Sequence, residues 1–215
     1  MSSSAPRAVD GAQLRVPFPW RRYVLDRLVD PIIDRAVGMD TAGFQSVNHL
    51  GLDPDQAFDY RVAGWRSLHV ILRRDEVTAH DVFVDLGCGK GRVLFLACRY
   101  PFKRIIGVDL SPAMVKAARR NLAGRPRVQV EMANAAEWPI PDDVTLAFLY
   151  NPFPNAIFER VVENLLESLR RRPRHLGLIY RRPDRMHSYL LEQGFTLMRQ
   201  TTSGPTNLYA SLALR

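Results

Sequence analysis

The sequence predicts an α/β fold: a parallel sheet with helices on both faces, an antiparallel strand pair at one edge and a helical cap in front. Three observations predict it. Short apolar runs alternate with helix-like segments, and such repetition returns each strand parallel to the last. The first run of the repeat ends in a turn with glycine at every second position, Gly87, Gly89 and Gly91. The last two runs, within GFTLMRQTTSGPTNLYASLALR, have a Gly-Pro turn and no helix between them, so they pair antiparallel.

The elements follow in order. Residues 1–20, rich in Ser and Pro, read as a flexible tail that lacks the apolar core of a secretory signal. Residues 21–79 read as a cap or lid packed on the core. There, RRYVLDRLVDPIIDRAVG predicts a helix broken at Pro31, since proline removes a helix donor and crowds the preceding turn. MDTAGFQSVNHLGLDPDQ reads as a loop. AGWRSLHVILRRDE predicts a second helix, with Trp65, Leu68, Ile71 and Leu72 at helical spacing. Residues 80–215 form the main domain, with strands VFVDL, RIIGVDL, VQVEM, VTLAFLY and HLGLIYR. Its helices are VLFLACRY, SPAMVKAARRNLA, NAIFERVVENLLESLRRR and DRMHSYLLEQG. Ser111 and Pro112 open the second of these with a capping hydroxyl and a first-turn proline.

At 215 residues, 47% hydrophobic and 24% charged, the chain fits one soluble globular unit. No apolar run is long enough to span a bilayer, so no membrane partner is expected. The two cysteines, Cys88 and Cys98, lack metal-ligand spacing and point to a reducing cytoplasm without a metal site.

The glycine turn, VDLGCGKGR over residues 84–92, says what it does not bind. A dinucleotide turn needs its third glycine at position 92, which is arginine, and Asp85 would repel a pyrophosphate. No Gly-Lys-Ser/Thr follows, which excludes a phosphate loop. The expected ligand lies against bare backbone, carries no phosphate and suits a carboxylate.

Asp85-Leu-Gly87-Cys-Gly89-Lys-Gly91 resembles the D/E-x-G-x-G-x-G signature of class I (Rossmann-like) S-adenosylmethionine-dependent methyltransferases, and the resemblance covers residues 80–215. It implies S-adenosyl-L-methionine as cofactor, cationic at sulfonium and amino group, against Asp85, Gly87, Cys88, Gly89 and Gly91. One charge pair at about 4 Å is worth about 4 kcal/mol at the effective dielectric of a protein site. Asp109, closing IIGVDLSP, stands where the family accepts both ribose hydroxyls, with Leu110 beside it. VQVEMANAAEW resembles the adenine-contacting motif. There Asn134 replaces the aspartate of many members, Ala135 follows, and Trp138 is expected to flank the ring. Asn151-Pro-Phe-Pro154 resembles the N/D-P-P-Y/F motif of amino-group methyltransferases, but Phe153 takes the second proline position and Pro154 the aromatic one. Tyr150, Asn151 and Pro152 are therefore the candidate catalytic residues, with the acceptor atom open between nitrogen and oxygen.

Methyl transfer is an in-line displacement in which positioning outweighs base strength. Of the histidines, only His49, in the cap loop, is a pocket candidate, against the favoured reading of a surface histidine. Tyr180, closing the fifth strand, and Phe153 are further pocket candidates. GMDTAGF (38–44) and FDY (58–60), including Tyr60, are expected to line the site as a lid. Deleting residues 1–45 should then abolish turnover and leave the main domain folded.

The net charge of +8 comes almost wholly from arginine; the lysines are Lys90, Lys103 and Lys116. RYPFKR, RRNLAGRPR and RRRPRH join helix ends to strand starts, away from the site, where cations suit helix C-termini. Only RRPDR (181–185) and the pair Arg21 and Arg22 can flank the pocket, so nucleic acid is disfavoured. The expected activity is methyl transfer to nitrogen or oxygen of a small-molecule substrate. A protein side chain or RNA is the alternative acceptor, and a basic binding module with a vestigial pocket the third reading. The sequence sets no oligomeric state.

Overall fold

Burial on both faces makes each central strand a continuous apolar run, and these runs stack side by side. The computed structural model describes residues 20–55, 57–150, 153–182, 186–201 and 206–211, with side chains from residue 28 onward. The elements run α1 (Trp20–Ala36), β1 (Phe44–Gln45), β2 (Tyr60–Arg61), β3 (Val82–Leu86), α2 (Arg92–Ala97), β4 (Arg104–Asp109) and α3 (Pro112–Asn121). They continue with β5 (Val128–Met132), β6 (Leu146–Tyr150), α4 (Asn155–Arg171), β7 (Leu176–Arg181), α5 (His187–Glu192), β8 (Phe195–Gln200) and β9 (Thr206–Ser211).

The main sheet has the order β5-β4-β3-β6-β7-β9-β8. The first five strands are parallel; β9 pairs antiparallel with both β7 and β8. The predicted α/β class and its antiparallel edge pair therefore hold. The chain winds outward from β3 to β5, then returns to place β6 on the other side of β3. That reversal opens a crevice at the carboxyl ends of β3 and β6, where ligands bind in such sheets.

One face of the sheet packs Val82, Val84, Leu86 and Val108 against Phe158, Val161 and Leu165 of α4. The other packs Phe83, Ile105 and Phe148 against Leu94 of α2 and against Leu68, Ile71 and Leu72 of the cap. Gly107 of β4 faces this second layer because a Cβ there would collide with Leu94 and the Cys88 sulfur. Ser111 caps α3 as expected, accepting the Met114 amide at 3.4 Å, with Pro112 in the first turn.

The cap departs from the sequence reading in three places. α1 is not broken at Pro31 but runs through it to Ala36. The carboxylates of Asp30 and Asp34, one on each side of the proline, are both tied to Arg92, so tertiary contacts hold the helix across its weak point. The second predicted helix is a string of turns over residues 65–71, with mixed i−3 and i−4 hydrogen bonds, and a 3₁₀ turn at Arg74–Glu76. Its periodicity marks burial of Leu68, Ile71 and Leu72 rather than a full helical ladder. The loop between contains a short hairpin, β1 with β2. The expected tail lies outside the described residues apart from Trp20, which opens α1. No helix among the described residues is long and apolar enough to cross a membrane.

Candidate active site

A cavity of about 620 Å³ opens at the carboxyl ends of β3, β4 and β6, roofed by the cap. Asp85 and Asp109 both line it. They come from adjacent strands: Asp85 pairs in register with Gly107, two residues before Asp109. Asp109 is occupied on both oxygens, accepting the Gly89 amide at 2.7 Å and the Ser111 amide at 2.9 Å. It thereby joins the glycine loop to the start of α3. Burial pushes its carboxyl up, and the two amides oppose this. Asp85 accepts no hydrogen bond from the described residues. Burial, reinforced by Asp109, holds its carboxyl well above the usual carboxylate range. An acid kept here without a partner is stabilised by a cation entering the cavity. No group of three or more His, Cys, Asp or Glu that could hold a metal occurs among the described residues.

All three loop glycines have positive φ, at 86°, 53° and 87°, but only Gly87 lines the cavity. The expectation of bare backbone at every glycine is corrected by what covers the other two. A Cβ on Gly89 would collide with the Tyr60 ring, and one on Gly91 would meet Leu122 Cδ1 at 2.8 Å. Tyr60 itself lines the cavity, and its hydroxyl donates to the Thr41 carbonyl at 2.8 Å. Burial drives its phenol far above the usual range. Cys88 also lines the cavity as a buried free thiol, and burial raises its pKa well above that of an ordinary cysteine.

Leu110, Asn134 and Ala135 take their expected places in the cavity wall. Asn134 Oδ1 accepts the Ala136 amide at 3.0 Å, and its Nδ2 donates to Glu137 at 3.3 Å. Trp138 does not wall the cavity: it is buried in the α4 layer and donates to Glu131 at 2.8 Å. Tyr150 and Phe153 do wall it, whereas Asn151 and Pro152 lie outside the described residues. Tyr180 is corrected. Its ring is 2% exposed and stacks on Phe158 at 4.8 Å, because its position in β7 faces α4 rather than the cap. His49 is also corrected: it lies exposed, outside the wall, while Val47, Leu50 and Leu52 face inward. Of the lid segments, Phe58, Asp59 and Tyr60 line the cavity, but residues 38–44 stand behind Tyr60 and do not.

The sequence reading missed the residue that joins cap to loop. Arg92, 2% exposed, opens α2 directly after Gly91. Its guanidinium binds Asp30 at 2.7 Å, Asp34 at 3.0 Å, Thr41 Oγ1 at 2.7 Å and the Ala63 carbonyl at 3.1 Å. It also lies over the Trp65 ring at 4.6 Å. Asp34 in turn accepts the Thr41 and Ala42 amides at 2.5 and 2.6 Å. A signal was present, since a cation in the first turn of a helix opposes the helix dipole and needs acids from elsewhere. Asp30 and Asp34, four apart on one helix face, were those acids.

Residues 83–172 match a family model described as "Methyltransferase domain". Among curated proteins, the trans-aconitate 2-methyltransferase of Methylobacterium radiotolerans is 41% identical over 69 residues, covering 32% of this chain and 25% of that protein. The corresponding protein of Acidovorax sp. is 45% identical over 73 residues, covering 34% and 28%. The match thus spans about a quarter of the length of these relatives. Among solved structures, an RNA methyltransferase from Salinibacter ruber in complex with S-adenosyl-L-homocysteine superposes with TM-score 0.51. It is 22% identical and covers 69% of this chain and 88% of that one. Precorrin 8w decarboxylase from Methanobacterium thermoautotrophicum superposes with TM-score 0.55 at 18% identity, covering 71% and 92%.

Proposed function

We propose that this chain is a class I methyltransferase that transfers a methyl group from S-adenosylmethionine to nitrogen or oxygen of a small metabolite; the match of residues 83–172 to a methyltransferase-domain model supports this. One observation carries the proposal: two buried carboxylates from neighbouring strands, one without a hydrogen-bond partner among the described residues, face a cavity beside the glycine loop. When bound, the cofactor supplies an electrophilic methyl on a sulfonium, which an acceptor lone pair takes as the carbon–sulfur bond breaks. Asp85 fits the cation, and Asp109, with lone pairs to spare beyond its two amides, fits the ribose hydroxyls. Gly87 and Leu110 offer backbone, and Asn134 with Ala135 bounds the adenine end.

On the acceptor side, Tyr150 and Phe153 line the cavity together with Phe58 and Tyr60 of the cap. We assign lone-pair alignment to Tyr150, Asn151 and Pro152 on the strength of their sequence motif. The cap supports a metabolite over a polymer, since its apolar side chains Val47, Leu50, Leu52 and Phe58 line the cavity. The curated relatives, whose names specify a small organic acid, support the same choice. The two free cysteines suit a cytoplasmic setting.

Incubating the chain with methyl-labelled S-adenosylmethionine and a cell extract tests the reading. Label should enter the small-molecule fraction. Label confined to RNA or protein would replace the acceptor class, and failure to bind S-adenosylhomocysteine at millimolar concentration would overturn the activity.

A further inference from the structure

The wall of the cavity carries charges of both signs. β3 and β4 contribute Asp85 and Asp109. Other elements contribute Arg61, closing β2, and Arg182, one residue past β7, together with Asp59 and with Arg92, whose charge is met by Asp30 and Asp34. Asp59 is already engaged, accepting the Val47 amide at 3.0 Å. Neither Arg61 nor Arg182 pairs with a carboxylate among the described residues; Arg61 stands only over the Phe44 ring, at 5.8 Å. The neighbouring Arg181 adds a further cation beside the wall. Its guanidinium lies 4.9 Å from the ring of Tyr150, a wall residue, and its buried Nε has no hydrogen-bond acceptor among the described residues.

The backbone of Arg182 adds an independent observation. At φ 63° it is the one non-glycine residue with positive φ among those described. Pro183 follows it, and a proline pushes its predecessor toward extended backbone, so this conformation is opposed twice over. Such a residue persists where its placement serves a site. Here the conformation belongs to a long cation in the cavity wall.

We infer that the acceptor is an anionic metabolite, held through a carboxylate or phosphate group by Arg61 and Arg182. This deepens the reading above and rests on it. The guanidinium fork matches the oxygens of both groups. Acids and arginines then sort the two ligands: the cationic donor goes to Asp85 and Asp109, the anionic acceptor to Arg61 and Arg182. Each ligand is repelled from the other's place.

Calorimetry on the full chain saturated with S-adenosylhomocysteine tests this, with citrate and inorganic pyrophosphate as probes. At least one probe should bind, and which one does distinguishes carboxylate from phosphate recognition. Arg61→Gln and Arg182→Gln should each weaken that probe by about tenfold or more, as expected for a lost charge-assisted pair, with S-adenosylhomocysteine affinity unchanged. Arg182→Gly should weaken it equally while keeping the fold, because glycine adopts this φ without strain. Wild-type protein that binds S-adenosylhomocysteine but neither anion, variants that bind as well as wild type, or binding of single-stranded RNA alone would each overturn the inference. If S-adenosylhomocysteine itself does not bind, the underlying functional reading falls, and the inference with it.

Discussion

At the scale of single residues, the site is built from charges the fold would not otherwise keep. Asp85 is buried without a partner among the described residues, and its raised pKa means the folded chain holds a proton that the unfolded chain has already released. The stability it contributes is therefore complete below the ordinary carboxylate pKa and is lost as pH rises through the raised value. Asp85→Asn should remove that decline and raise the cofactor-free melting temperature at neutral pH, by the equivalent of about 0.5–2 kcal/mol. A melting temperature equal to or below wild type would show that Asp85 is not carrying this penalty. Arg92 is the opposite case, a buried cation held by two carboxylates, a hydroxyl and a backbone carbonyl. Arg92→Met strands two acids, and urea unfolding should show a loss of about 3–5 kcal/mol. The glycine motif and Asp109 were legible in the sequence because spacing alone marks them. Arg92 was legible only as a departure from a pattern, since its partners lie about sixty residues upstream.

At the scale of elements, strands and helices after residue 80 followed from periodicity because each is buried along a whole face. The cap did not, since its structure is set by contacts with distant residues. Pro31 shows why. A proline in a helix interior costs about 3 kcal/mol against alanine, and local reasoning breaks the helix there. The grip of Arg92 on Asp30 and Asp34 overrides that preference. Pro31→Ala should therefore stabilise the chain, by at most about 3 kcal/mol in chemical denaturation; destabilisation would mean the proline serves the helix geometry. The same grip revises the expectation that residues 1–45 can be deleted from a folded domain. Deletion removes Asp30, Asp34 and Thr41 from a buried guanidinium, and also the Asp40 backbone that Asn121 brackets at 3.1 Å on both its N–H and carbonyl. The truncated chain should show loss of cooperative melting, whereas a sharp transition near that of wild type would restore the lid as a separable unit.

For the molecule as a whole, function follows from topology. The strand order reverses between β3 and β6, which run parallel, and the cavity, the acids and the glycine loop all lie at that switch point. The antiparallel β7–β9–β8 edge extends the sheet beyond it, and Arg182, just past β7, lines the cavity. The strand-end residues Asp85, Asp109, Asn134 and Tyr150 could be placed from sequence because parallel strands all present their carboxyl ends to one edge. Tyr180 could not, because facing depends on the register of β7 against its neighbours, which turns its ring toward Phe158. Ligand binding should couple to this architecture: S-adenosylmethionine at about 100 times its dissociation constant should stabilise the chain by about 2.7 kcal/mol. The most direct test of the central claim is a calorimetric titration of S-adenosylmethionine into wild type and Asp85→Asn. The account predicts binding to wild type and affinity about tenfold or more weaker in the variant, the loss of one charge-assisted interaction. Equal affinity in the two proteins would contradict it.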